Sequence, residues 1–199
     1  MMLYLRHQIF HGPHVSRVEA RAHGSAVAHA LLNALLLELK LPLALKADPQ
    51  GRPALAHCDT VDFNLSHTEG LAVCALLQSE NSPRVGVDAE LLTNFDAERI
   101  ATFAARFFAP FEQKCLAKAN DPATCFTRIF TRKEAYAKYC GDGLGPHLSA
   151  SDTLAPDFES SHGVRFYAYR HNDIFISLCT PESIEDKPQT TLCEDPVTW

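Results

Sequence analysis

Five residues could do chemistry together if the fold gathers them. Asp88 and Glu90 lie in Val85-Gly-Val-Asp-Ala-Glu90. Lys133, Glu134 and Lys138 lie in Phe130-Thr-Arg-Lys-Glu-Ala-Tyr-Ala-Lys138. On a strand, residues two apart point to the same face, so Asp88 and Glu90 would stand side by side. Two carboxylates about 4 Å apart at an effective dielectric near 20 repel by roughly 4 kcal/mol. Such a pair persists either where a strand end is fully solvated or where a cation sits between the acids. The strand leading to it, Val85-Gly-Val87, is apolar, which sets the pair at a core edge. All-oxygen ligation without His or Cys favours Mg2+. Glu134 and Lys138, four apart, share a helical face; alone, that spacing is most often a solvated contact. A third carboxylate flanked by Lys133 and Lys138 suits phosphate chemistry. Mg2+ held by a few carboxylates completes its shell with substrate phosphate oxygens, and the lysines offset charge on a phosphate or diphosphate. His67 closes Phe63-Asn-Leu-Ser-His67 and could donate to another phosphate oxygen. By itself it reads as a satisfied histidine at a strand end.

The elements that must position these residues can be read from periodicity and breakers. Residues 2–10 alternate loosely, as a strand would. Ser16 with Glu19 three later is a capping box for a helix over 16–40, whose apolar positions (Val27, Leu31, Ala34, Leu35) follow helical spacing and which Pro42 ends. Arg17 and Arg21 sit one turn apart near its start, where cations oppose the helix dipole unless an anion is near. Two solvated arginines are the plainer reading of that spacing. Asp48-Pro-Gln-Gly-Arg-Pro53 is a turn. Strands are expected over 61–67, 71–77 and 84–90, forming one small antiparallel sheet. Helices follow over 96–107, capped by Asn94 or Asp96, over 110–119, and from Asp121-Pro122 to Cys140. Gly141-Asp-Gly143 stops the last. Strands over 164–170 and 173–179 join through His171-Asn172 as a hairpin. The polar, acidic stretch beyond Pro181 is expected to be loosely held.

Composition narrows the class. The chain has 199 residues, 46% hydrophobic and 21% charged, as in an ordinary globular protein able to bury a sizeable core. The apolar run over 31–45 is broken by Asn33, Glu38, Lys40 and Pro42 and is too interrupted to cross a bilayer. Met1 to Phe10 contains Arg6, His7 and Gln8 without a long apolar core and cleavage site, so no signal peptide and a cytoplasmic location are expected. Seven scattered cysteines with no C-x-x-C argue against a disulfide framework or a structural zinc site. A net charge of −6 argues against nonspecific nucleic-acid binding. Charge is nonetheless uneven: residues 99–138 carry eight basic residues against Glu112, Asp121 and Glu134. Such a face suits an anionic ligand or an acidic protein partner, and equally a solvated helical surface.

Four segments in order resemble the 4′-phosphopantetheinyl transferase superfamily. Gly51-Arg-Pro53, Phe63-Asn-Leu-Ser-His67, Val85-Gly-Val-Asp-Ala-Glu90 and Phe130–Lys138 followed by Gly141-Asp-Gly-Leu144 are similar to the family's G-K-P, F-N-x-S-H, G-V-D-x-E and W-x-x-K-E-x-x-x-K…G-x-G-L patterns. Chain length resembles the Sfp-type branch. The resemblance implies an α+β fold of two similar α/β halves fused in one chain, each a small antiparallel sheet packed on helices. The halves would be residues 1–92 and 93–180, with 181–199 a loosely ordered acidic tail. It also implies transfer of 4′-phosphopantetheine from coenzyme A to a serine of an acyl or peptidyl carrier protein, releasing adenosine 3′,5′-bisphosphate. Asp88, Glu90 and Glu134 would hold Mg2+ against the coenzyme A diphosphate, and Glu134 would take the serine proton. Lys138, assisted by Lys133, would stabilise the leaving phosphate. Ser66 and His67 would contact nucleotide phosphates. Gly51 and Arg52 would lie along the adenine and 3′-phosphate, with Arg17 or Arg21 serving that same phosphate. A monomer is expected. Two departures stand out: Phe130 replaces the family's tryptophan, keeping the ring without its N–H, and Ala89 stands where a larger aliphatic residue is common. A Mg2+-dependent phosphohydrolase and a non-catalytic coenzyme A-binding module are the rival readings.

Overall fold

The structure is a computed structural model, described for residues 1–11, 16–48, 51–81, 83–92, 95–141 and 148–195. Its first sheet holds β1 (Met2–Ile9), β5 (Leu71–Gln78) and β4 (Val61–Thr68), antiparallel and in that order. Between β1 and β4 the chain forms α1 (Arg17–Glu38) and a two-stranded ribbon, β2 (Leu45–Ala47) with β3 (Pro53–Leu55). The second sheet is ordered β6 (Gly86–Leu91), β8 (Ile174–Pro181), β7 (Val164–His171) and β9 (Cys193–Glu194). Between β6 and β7 lie α2 (Ala97–Phe107), α3 (Pro110–Lys118), α4 (Pro122–Cys140) and the short α5 (Phe158–His162). Among the described residues, no helix is long and apolar enough to cross a membrane.

Alternation explains the layers. On β1 and β5, Leu3, Leu5, Leu71, Val73, Ala75 and Leu77 point inward and meet Val85, Val87, Ala89, Ile174, Ile176 and Leu178 of the second sheet in one core. The opposite face of β5, with Cys74 and Leu76, packs on Leu32, Leu35 and Leu36 of α1. On the far side, Ala135 and Tyr136 of α4 pack on Val164 and Cys179. Each helix begins as its sequence directs. The Ser16 hydroxyl accepts from the Glu19 N–H at 3.2 Å, Asp96 caps α2 through the Arg99 N–H, and Asp121 caps α4 through the Thr124 N–H. Gly141 closes α4 at φ +87°; Asn94 and residues 142–144 of the expected caps and loop lie outside the described residues.

Three expectations need correction. The strand expected over 84–90 does not join the first sheet; β6 pairs with β8, with Asp88 opposite Ser177. It meets β4 only through side chains. Asp62, Asn64, Ser66 and Thr68 accept in turn from the N–H groups of Val85, Val87, Ala89 and Leu91, at 2.8, 2.9, 3.3 and 3.3 Å. Every second residue of β4 thus satisfies every second N–H along a strand edge that would otherwise stay unpaired. The stretch beyond Pro181 is also held, at least to Asp195. Ile184 and Leu192 are buried in the central core, Gln189 bridges to Tyr4, and β9 pairs with β7. A few well-placed apolar residues suffice to dock a mostly polar segment. The hairpin turn falls at Asn172-Asp173, one residue later than expected, with Asn172 at φ +53°.

Candidate active site

Four elements converge on one cleft of about 710 Å³. From α1 come Arg17 and Arg21, from β4 Ser66 and His67, from β6 Asp88 and Glu90, and from α4 Glu134 and Lys138. What lets α4 reach β6 is Gly86. A Cβ there would lie 2.1 Å from the Ala135 carbonyl oxygen and 2.5 Å from the Tyr139 nitrogen. Backbone therefore lies on backbone, and Glu134 and Lys138 arrive beside the strand that carries Asp88.

One carboxylate oxygen each from Asp88, Glu90 and Glu134 fall within 4.8 Å of one another. Asp88 is 2% exposed. Its Oδ1 accepts from Lys138 Nζ at 2.6 Å and from the Ser66 hydroxyl at 2.9 Å, while Lys138 Nζ also reaches Ser66 Oγ at 3.0 Å. Its Oδ2 is buried and has no hydrogen-bond partner among the described residues. A buried carboxylate oxygen without a partner is costly, and Asp88 stands in a cluster with two further carboxylates, Glu90 and Glu134. These residues fit a hard divalent cation, which takes oxygen ligands of this kind. The electrostatics agree. Burial, then the Asp88 and Glu134 charges, push the Glu90 carboxyl up to about 8 against the relief from Lys138. Burial and Asp88 push Glu134 up to about 7, again offset by Lys138. His67 is held below its ordinary value, first by burial and then by the Arg21 and Lys138 charges.

Three expected site residues stand elsewhere. Lys133 is 1% exposed and turned away from the cleft. Its Nζ donates to Glu112 Oε2 at 2.6 Å and to the Ser151 carbonyl. Adjacent helical residues point about 100° apart, and with α4 turned so that Glu134 enters the cleft, Lys133 points toward Glu112 of α3. Arg52 is pinned under the cleft. It pairs with Asp62 at 2.6 Å and donates to the carbonyls of Phe63, Val85 and Lys138. Gly51 makes the tight turn of the β2–β3 ribbon at φ +84°, outside the cleft lining. Phe130 packs edge-on against Phe103 and stacks on Phe126, so the ring is kept for packing.

Gly86 carries weight that its sequence context alone did not assign it. The signal for Gly86 was a glycine inside an apolar strand, which marks a close backbone approach.

Comparison with known proteins agrees with this geometry. The sequence profile of the 4′-phosphopantetheinyl transferase superfamily matches residues 84–189, more than half of the chain. The chain belongs to that superfamily. It is similar to the L-aminoadipate-semialdehyde dehydrogenase-phosphopantetheinyl transferase of Saccharomyces cerevisiae, 27% identical over 154 residues, covering 70% of this chain and 57% of that protein. The 4′-phosphopantetheinyl transferase HetI of Nostoc is 38% identical over 96 residues, covering 47% and 38%. The 4′-phosphopantetheinyl transferase AcpT of Salmonella typhimurium is 28% identical over 141 residues, covering 71% and 69%. The matches thus span little more than half, or less, of the first two relatives' length.

Proposed function

We propose that the protein transfers 4′-phosphopantetheine from coenzyme A to a serine of an acyl or peptidyl carrier protein, releasing adenosine 3′,5′-bisphosphate. The observation that carries this reading is the gathering of one carboxylate oxygen each from Asp88, Glu90 and Glu134 within 4.8 Å of one another, with Lys138 and His67 in the same cleft and an Asp88 oxygen that has no hydrogen-bond partner among the described residues. Asp88, Glu90 and Glu134 would hold Mg2+, whose charge would draw electron density from the coenzyme A diphosphate. Glu134, on α4 at the edge of the same cleft, is the carboxylate that would take the serine proton. The serine oxygen then bonds to the β-phosphorus as the bond to the bridging oxygen breaks. Lys138 lies where it can offset charge on the leaving phosphate. Ser66, His67, Arg17 and Arg21 supply donors for the nucleotide phosphates.

The two sheets share a β-α-β-β order in which the first and last strands pair, β1 with β5 and β6 with β8. This supports the reading of two fused halves of the Sfp type, with the second half starting near β6 rather than after residue 92. All four site elements come from one chain, which supports activity as a monomer; a cytoplasmic location is part of the same proposal. The test is to incubate the protein with an apo carrier protein, coenzyme A and Mg2+ and weigh the carrier. A gain of one phosphopantetheine is expected. Nucleotide release without carrier modification would favour a phosphohydrolase, and bound coenzyme A without turnover a binding module.

A further inference from the structure

α1 presents Arg17, Arg21, Gly24 and Ala28 along one face. The two arginines line the cleft, and Ala28 is buried beside Phe10 and Ala72. Gly24, between them, is buried and helical. A glycine in a helix interior weakens the helix, and here no turn or positive φ calls for one. Its reason is steric. A Cβ on Gly24 would lie 2.7 Å from His67 Nδ1, 2.9 Å from its Cγ and 3.3 Å from its Cβ. The contact runs from the ring to the stem, so tipping the ring alone would not relieve it. Either the imidazole swings out of its place or α1 retreats from β4. In its present seat the ring shares the cleft wall with Arg21.

We propose that Gly24 is a positioning residue that seats His67 beside Arg21 to receive a terminal phosphomonoester, and so favours ligands that carry one. This deepens the coenzyme A reading and rests on it. The probes are coenzyme A and dephospho-coenzyme A, which lacks the 3′-phosphate. Their Kd values would be measured calorimetrically for the wild type, Gly24→Ala, His67→Ala and the double variant. Gly24→Ala is expected to weaken coenzyme A by about tenfold, one charge-assisted hydrogen bond's worth. It should leave dephospho-coenzyme A within about twofold and have no further effect once His67 is gone. Thermal melts give a readout independent of ligand. Alanine should lower Tm beside His67 and raise it in the His67→Ala background, where only helix propensity remains. Equal loss of both ligands, unchanged coenzyme A binding, or the same Tm change in both backgrounds would overturn the inference. If the wild type binds neither probe, the coenzyme A reading fails instead, and the Tm cycle alone decides whether Gly24 seats His67.

Discussion

Asp88 uses its two oxygens unequally: one accepts from a lysine and a serine, and the other has no hydrogen-bond partner among the described residues. Asp88→Asn replaces part of that carboxylate with an amide that cannot bind a cation strongly. We expect transfer to fall by about a hundredfold or more, as when a group stabilising the transition state is lost. The Tm increase given by Mg2+ in the wild type should vanish while the metal-free fold persists. Wild-type rates, or an undiminished Mg2+ effect on Tm, would refute the ligand assignment. Protonation adds a second expectation. Glu90 and Glu134 are pushed up to about 8 and about 7 from an ordinary 4.5, so the folded protein binds their protons more tightly than the unfolded chain. Their contribution to metal-free stability is therefore full below the ordinary value and is lost as pH rises through the folded one. Mg2+ must compete with those protons, so its effect on Tm should grow from about pH 6 to about pH 8.5; a flat profile would contradict this. Asp88 and Glu90 were legible as a pair because two acids at the edge of an apolar strand ask for a cation or for full solvation, whereas Glu134 and Lys138 alone read as a solvated contact and gained meaning from the ordered segments around them. Which side of α4 each neighbour faces was not legible, since that depends on how the helix is rotated against β6.

Helix rotation is also what turns Lys133 into a structural residue. Its ammonium and the Glu112 carboxylate are both sealed from water. Glu112 in turn caps the start of α3 through the Ala109 N–H at 2.9 Å and accepts from the Thr153 N–H and hydroxyl at 2.9 and 2.7 Å. One buried ion pair therefore joins α3, α4 and the segment around Thr153. Lys133→Met should strand the Glu112 charge and cost about 3–5 kcal/mol of unfolding free energy, because removing one partner leaves the other buried and unpaired. Denaturant melts would measure that loss. The KM for coenzyme A of the remaining folded enzyme should not move; a rise in KM without loss of stability would return Lys133 to the phosphate. The helices themselves were readable from caps, proline positions and Gly141. The partner of β6 was not. Polar residues alternating along β4 look like a solvated strand face, and nothing local says that they hydrogen-bond to another sheet's edge.

Across the whole molecule, the basic stretch over 99–138 divides into an inner and an outer part. Arg128 is clamped by both oxygens of Asp195, at 2.9 and 2.7 Å. Arg132 pairs with Glu159 and lies 3.7 Å over the Phe166 ring, and Lys133 is buried. Arg128 ties α4 to the docked C-terminal segment, Arg132 ties it to α5 and the second sheet, and Lys133 ties it to α3, so these three are occupied and the basic stretch over 99–138 does not act as one face. Arg99 and Arg106 on α2 and Lys114 and Lys118 on α3 are exposed. On the proposed function, they are the part of that charge left to face an acidic carrier protein. Reversing two of them together, Arg99→Glu with Lys114→Glu, should raise the KM for carrier by about tenfold at low salt, and less as salt screens the attraction. The KM for coenzyme A should stay level, since neither residue lines the cleft. Arg128→Glu should instead lower Tm, because it sets two negative charges against each other beneath β9. If reversing the outer residues shifts both KM values alike, or if salt leaves the effect unchanged, α2 and α3 are not where the carrier docks.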